Sequence, residues 1–244
     1  MSEPSEIIDA IERVLPSAHG VSLKGRHVLI TSGPTHEPID PVRYIANRSS
    51  GKQGHALALA AKDLGARVTL ISGPTHLPDI PGVTTVKVET AADMLDAALA
   101  ALPADVAICA AAVADWRVAH QAEEKLKKAE GQTALNLALS RNPDILATLA
   151  APSASRPTLV IGFAAETETI ITHAQAKLSR KGADWIVAND VSPGTGIMGG
   201  GHTEVHLVSG TGVEDWPAMG KDEMATKLLA RAAEALHAMQ LAAE

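Results

Sequence analysis

The segment Asn47-Arg48-Ser49-Ser50-Gly51-Lys52-Gln53-Gly54 gathers two amides, two hydroxyls, two cations and two glycines into eight residues, just ahead of an Ala/Leu-rich run. Spacing predicts that this run is a helix, closed by Gly65. A helix start presents free N–H groups and the positive end of the helix dipole, so anions are drawn to it. Ser49 and Ser50 can cap the helix or bond phosphate oxygens, Gly51 and Gly54 permit close backbone approach, and Arg48 and Lys52 add charge. A serine N-cap beside an incidental lysine is the plain alternative. The loop is no Walker P-loop, because Gln53 rather than Ser or Thr follows Lys52 and the earlier spaced glycine is missing.

Other segments carry chemistry of the same kind. Cys109-Ala110-Ala111-Ala112-Val113-Ala114-Asp115 ends an apolar run. Its small side chains leave room for a ring or sugar, and Asp115 is placed to bond a ribose hydroxyl or a base; a loop turn with a helix cap is the alternative. Cys109 itself reads as a small core residue. Glu124-Lys125-Leu126-Lys127-Lys128 could close over phosphates as a lid. Three basic clusters, Arg43/Arg48/Lys52, Lys125/Lys127/Lys128 and Lys177/Arg180/Lys181, run against a net charge of -7; solvated faces are their ordinary fate. Gly194-Thr195-Gly196-Ile197-Met198-Gly199 matches G-x-G-x-x-G but leads into an alternating strand rather than a helix, so a mobile glycine loop fits it better than a nicotinamide site. His202, Glu204 and His206 share one strand face without a fourth ligand nearby. No Ser-His or Cys-His pair suggests a covalent nucleophile.

Elements that could position these residues alternate along the chain. Apolar runs at 26–31, 67–72, 85–89, 105–110, 158–163 and 185–189 read as buried strands, and helical spacing appears at 51–65, 91–102, 143–151 and 170–180. Such alternation means an α/β, Rossmann-like, doubly wound fold: a mainly parallel sheet with helices on both faces. Residues 35–50 read as a loop. The chain then changes rhythm, and an antiparallel hairpin extension over 200–217 precedes a final helix over 221–239. Residues 1–22 read as a short helix and linker, and 23–244 as a single domain.

Of 244 residues, 46% are hydrophobic and only 2% aromatic, so Ala, Val, Leu and Ile must fill the core. The single cysteine permits no intrachain disulfide and fits a reducing, cytoplasmic setting. Residues 1–6 lack a signal-peptide pattern, no stretch approaches the roughly 20 apolar residues of a membrane span, and the acidic balance argues against general nucleic-acid binding.

Taken together, Ile30-Thr31-Ser32-Gly33-Pro34-Thr35, Glu37 to Arg43, Asn47 to Lys52, Ala111 to Asp115, Glu124 to Lys128, Asn142-Pro143-Asp144-Ile145, Gly162 to Thr167 and Ala188 to Val191 resemble the bacterial phosphopantothenoylcysteine synthetases. The resemblance implies a ligase of coenzyme A biosynthesis that joins 4′-phosphopantothenate to L-cysteine, with CTP, through an acyl-cytidylate, releasing pyrophosphate and CMP. It implies Mg²⁺ held mainly through nucleotide phosphates, with protein metal ligands unassigned. By position, Asn47 matches the family's catalytic asparagine and Lys125 the lid lysine. Cys109, Ala110, Ala111 and Asp115 match the cytidine pocket; Pro143, Asp144, Ile145, Leu146 and Phe163 match nucleotide contacts, and Lys177 and Lys181 phosphate-facing cations. Arg48, Ser49, Ser50, Gly51 and Lys52 would face the phosphate of phosphopantothenate or lie near it. The resemblance further implies a homodimer in which the late antiparallel segment helps the interface. Members usually carry a flavin-dependent decarboxylase domain upstream; the chain reads either as half of such a protein or as a stand-alone synthetase, with no flavin site of its own. A nicotinamide-dependent reductase is the alternative, but the glycine-rich first turn it needs is replaced by Ser32-Gly33-Pro34-Thr35.

Overall fold

A computed structural model describes residues 22–127, 133–166, 168–190 and 202–243. The linker at 1–21, the glycine motif at 194–199, and Lys128 and Thr167 lie outside them. In chain order the described elements are β1 (His27–Ser32), β2 (His36–Asp40), β3 (Arg43–Ala46), α1 (Lys52–Asp63), β4 (Arg67–Ser72), β5 (Thr84–Lys87), α2 (Ala91–Ala100), β6 (Val106–Cys109), β7 (Trp116–Val118), β8 (Leu139–Arg141), α3 (Ile145–Ala150), β9 (Leu159–Glu166), α4 (Ile170–Lys181), β10 (Trp185–Asp190), β11 (His202–Ser209), β12 (Gly212–Gly220) and α5 (Lys221–Ala243).

Eight strands form one sheet in the order β5-β4-β1-β6-β9-β10-β11-β12. The first six run parallel, and β11 and β12 are added antiparallel. Each apolar strand alternates its side chains between two covered faces, as parallel strands buried on both sides must. From β1, Val28 and Ile30 join Leu57 of α1 and Leu228 of α5 on one face. Leu29 faces the other way, with Met94 of α2 and Leu149 of α3. α4 covers Val160 and Ile186 on that second face through Ala174. Burying each such Leu or Ile contributes about 1.5–3 kcal/mol, and alanines let the helices sit close to the sheet.

Three expectations change. Residues 35–50 are not a plain loop: β2 and β3 pair as a hairpin. Trp116–Val118 and Leu139–Arg141 form a second small ribbon, β7–β8, that packs against β2. The late hairpin reaches Gly220 rather than 217, and α5 continues to Ala243 rather than 239.

Candidate active site

The strand order reverses between β1 and β6, and loops leaving the carboxyl ends of two such strands diverge and open a crevice. Three hydroxyls around the end of β1 organise it. Thr31 Oγ1 accepts from the Ala111 N–H at 3.3 Å, and Thr35 Oγ1 accepts from the Ala114 N–H at 3.0 Å, which fixes the loop after β6. Ser32 Oγ donates to the Gly51 carbonyl at 3.0 Å, which fixes the start of α1. Gly51 is the N-cap of α1, at φ 74°, and no side chain caps the helix. Ser49 accepts from the Gly51 N–H, at 3.3 Å. The serine-cap alternative therefore fails. The glycines also do something other than admit a ligand. A Cβ on Gly54 would overlap the Ser32 side chain, so this glycine lets α1 pack onto the end of β1.

Two adjoining cavities, of about 520 and 640 Å³, occupy the crevice and share Ala111, Val113, Asp115, Phe163 and Lys177. Cavities of this size suit small ligands. Cys109, Pro143, Asp144, Ile145, Leu146 and Lys181 line the first. Ala110 and the run Arg48, Ser49, Ser50, Gly51 and Lys52 line the second. All the expected site residues except Asn47 and Lys125 thus stand on these walls. Asn47 is exposed, and its Nδ2 donates to the carbonyl of Val113 at 2.9 Å, tying it to the wall between the cavities.

Electrostatics differ between the two. In the first, Asp144 caps α3 by accepting from the Ala147 N–H at 3.0 Å and pairs with Lys181. Burial works to raise the Asp144 pKa, but the bonds from Lys181 and Ala147 outweigh it and hold the carboxyl below its ordinary value. Lys177 Nζ donates to the Phe163 carbonyl at 2.7 Å. Burial, and next the charge of Lys181, lower its pKa. Burial and then Asp144, partly offset by Lys177, push the Cys109 thiol up to about 12, so it is neutral and unreactive at neutral pH. In the second cavity, Arg48, Lys52, Lys177 and Lys221 face a single carboxylate, Asp115. A strongly cationic pocket has formed in an acidic chain.

Lys125 is exposed and lines neither cavity, but its neighbour is firmly held. Asp40, only 2% exposed, accepts from the N–H groups of Val42 and Arg43, from Arg43 Nε and Nη2, and from the Leu126 N–H at 3.1 Å. Arg43 Nη2 also donates to the Leu126 carbonyl at 3.1 Å. Arg43 is therefore engaged in a clasp between the β2–β3 hairpin and the lysine segment. The Arg43 guanidinium holds the Asp40 carboxyl well below the usual carboxylate range, with backbone N–H groups adding to the effect against burial.

The profile of the DNA/pantothenate metabolism flavoprotein C-terminal domain matches residues 23–236. The chain belongs to that family. The coenzyme A biosynthesis bifunctional protein CoaBC of Vibrio cholerae is 42% identical over 94% of this chain and 57% of its own length. The Escherichia coli K12 protein of the same name is 43% identical over 94% of this chain and 56% of its own. The chain spans a little over half the length of these relatives. A crystal structure of the C-terminal domain of CoaBC superimposes with a TM-score of 0.73 at 40% identity, covering 88% of this chain and 97% of that one.

Within this flavoprotein C-terminal domain, several wall residues escaped sequence reasoning. Trp116 and Arg141 line the first cavity, the guanidinium 5.8 Å from the ring centroid. A tryptophan directly after Asp115, in a chain with three, was the available signal. Thr203 and Lys221 line the second cavity from β11 and α5, and no local pattern marks them; Asn189 lines it from β10, inside the Ala188–Val191 motif but without a role assigned to it. The His202/Glu204/His206 face assembles no metal centre: His206 Nδ1 bonds Asp215 at 2.6 Å, and among the described residues no group of three His, Cys, Asp or Glu could hold an ion. The reductase alternative finds no support either, because the β2–β3 hairpin separates β1 from α1 where a dinucleotide turn would stand.

Proposed function

We propose that this chain is a phosphopantothenate–cysteine ligase that uses CTP and forms an acyl-cytidylate. The observation that carries this reading is the pair of adjoining cavities at the β1–β6 crevice, one with ring-sized space and the other strongly cationic. Membership of the family and the CoaBC relatives support it.

In this reading the nucleoside enters beside Ala111 and Asp115, with Trp116 and Phe163 as apolar walls. Lys177, Lys181 and the start of α3 face its phosphates, and the Arg48–Lys52 loop faces a phosphate of the second substrate or one nearby. The phosphopantothenate carboxylate attacks the α-phosphorus and pyrophosphate departs. The cysteine amine then attacks the acyl carbon, CMP departs, and the amine proton passes to solvent. Asn47 bonds the acyl group, and Lys125, held by its clasped neighbour Leu126, closes over the phosphates. Catalysis is placement and charge neutralisation, with no protein nucleophile required. In this reading Mg²⁺ is held mainly through the nucleotide phosphates, the usual habit of magnesium.

We further propose a homodimer in the cytoplasm, with a decarboxylase domain upstream in the natural protein. Among the described residues no helix is long and apolar enough to cross a membrane. The test of the activity is to incubate the chain with phosphopantothenate, Mg–CTP and cysteine and follow pyrophosphate and amide. Both are expected in equal amounts, with ATP a poor substitute. Absence of both, beside an active control enzyme, overturns the reading.

A further inference from the structure

A third cavity, of about 410 Å³, lies on the other side of the start of α1 from the crevice. Lys52 and Lys221 line both it and the second cavity, so the two share a wall. The rest of its lining is mostly aliphatic: Leu59 of α1, 43% exposed, with Leu77, Ile80 and Pro81 of the loop between β4 and β5. The loop side is preformed. The Val83 N–H donates to the Ile80 carbonyl at 3.1 Å around Pro81 and Gly82, whose φ is 82°, a turn that takes proline second and a left-handed glycine third. A rigid wall of this kind lowers the ordering cost that a ligand would otherwise meet.

The cavity also has a polar end. His55 lines it, and the Nδ1 of that ring is buried without a hydrogen-bond partner. A buried N–H with no acceptor is rarer in folded proteins than a buried lone pair with no donor, so the neutral ring carries its proton on Nε2 and has that N–H to offer. Lys52, one helical turn earlier on the same face of α1, supplies a second donor. Of the two acids on the walls, Asp79 is paired with Lys87 at 3.2 Å, and Asp222 stands exposed. Aliphatic walls with two donors at one end fit a hydrocarbon chain that ends in two oxygens sharing one negative charge. A dianion would meet stronger repulsion from Asp222.

We propose that this third cavity binds an aliphatic carboxylate, and that its occupation weakens phosphate binding in the second cavity, because the one Lys52 ammonium cannot serve both anions. The binding site stands apart from the ligase reading; the coupling rests on the phosphate which that reading places in the second cavity. Coupling of this kind is reciprocal.

The probe is octanoate below its micelle threshold, titrated by calorimetry into the wild-type chain, with octanol and octylamine beside it. One octanoate per chain is expected to bind saturably, and the other two about tenfold more weakly. Leu59→Glu, which puts a like charge on the apolar wall, should weaken octanoate about tenfold and leave pyrophosphate affinity as in wild type. His55→Phe keeps a ring but removes the donor, and should weaken octanoate about fivefold. Leu99→Glu alters an exposed leucine of α2 outside the cavity and should change neither. Saturating octanoate should weaken pyrophosphate binding about fivefold, pyrophosphate should weaken octanoate by the same factor, and both effects should vanish in Lys52→Gln. Octanoate binding that fails to saturate, that octanol equals, that survives both Leu59→Glu and His55→Phe, that falls equally in Leu99→Glu, or that leaves pyrophosphate affinity unchanged would overturn the proposal. A chain that makes amide but binds no octanoate sinks this proposal alone; octanoate that competes with pyrophosphate on a chain that makes no amide sinks the ligase reading alone.

Discussion

Asn47 and Lys177 are the residues whose chemistry can be separated most cleanly. Asn47 is tied to the wall by an amide N–H donated to Val113. Asn47→Asp keeps the shape but replaces that donor with a carboxylate. We expect amide formation to stop while CTP still binds within about threefold, because the cations proposed to face the nucleotide are untouched. Normal ligation by the variant would remove Asn47 from the mechanism. Lys177 predicts two opposite pH dependences. Its amine loses its proton more readily than an exposed lysine. As alkaline pH titrates it, nucleotide affinity should fall, and Lys177→Gln should flatten that fall by calorimetry. A lysine whose folded pKa lies below its unfolded value costs stability while protonated, and the cost is relieved as pH rises through the folded and then the unfolded pKa. Its contribution to stability therefore rises with pH over the window in which binding declines.

At the scale of elements, two packing devices hold the site. Gly54 lets α1 approach the end of β1, and Gly54→Ala is expected to cost about 1–3 kcal/mol through overpacking. A chemical-denaturation midpoint within error of wild type would contradict this. The Asp40–Arg43 clasp holds the segment that carries Lys125. Because the Asp40 pKa is depressed, its stabilisation is fully present above the unfolded value of about 3.9 and is lost as pH falls through the lower folded value. The clasp therefore stays charged from pH 5 to 9, and activity should show no acid limb from it there. Asp40→Asn should lower kcat at least tenfold while CTP affinity in the absence of phosphopantothenate changes little; parallel loss of both would make Asp40 a general fold residue instead. Sequence rhythm was enough to read the parallel strands and their helices, because buried β-branched runs and Ala/Leu spacing are local signals. The β2–β3 hairpin was not legible: His36-Glu37-Pro38-Ile39-Asp40 is polar, short and interrupted by proline. Nor was the role of Glu37, whose buried carboxylate accepts from the Ala91 N–H at the start of α2, 54 residues away. Contacts of that range leave no trace in local periodicity. The same applies to Lys221, which reaches the cavity only because α5 folds back against α1.

The whole molecule combines an acidic surface with a cationic crevice, and that contrast favours phosphorylated substrates over nucleic acid. It also carries exposed apolar side chains on the two small sheets, at and beyond the rim of the crevice. Val42 and Tyr44 on β3 and the loop before it, Trp116 on β7, and Leu135, Leu137 and Leu139 on and before β8 are large and exposed. By contrast, Val205, Leu207 and Trp216 of the late hairpin are buried within this chain. The proposed homodimer therefore places its interface on the two small sheets, beside the lysine segment, more than on the late hairpin. Tyr44→Glu combined with Leu137→Glu should shift sedimentation to monomer with Tm changed by a few degrees at most; a persisting dimer would send the interface elsewhere. The central claim, that two phosphorylated substrates react in the crevice before cysteine does, is tested most directly by omitting cysteine. With phosphopantothenate and α-phosphate-labelled Mg–CTP, rapid quenching should reveal one labelled acyl-cytidylate and one pyrophosphate per site, and added cysteine should convert the intermediate to amide and CMP. Pyrophosphate that appears only after cysteine is added, with no labelled intermediate at any time, would contradict the account.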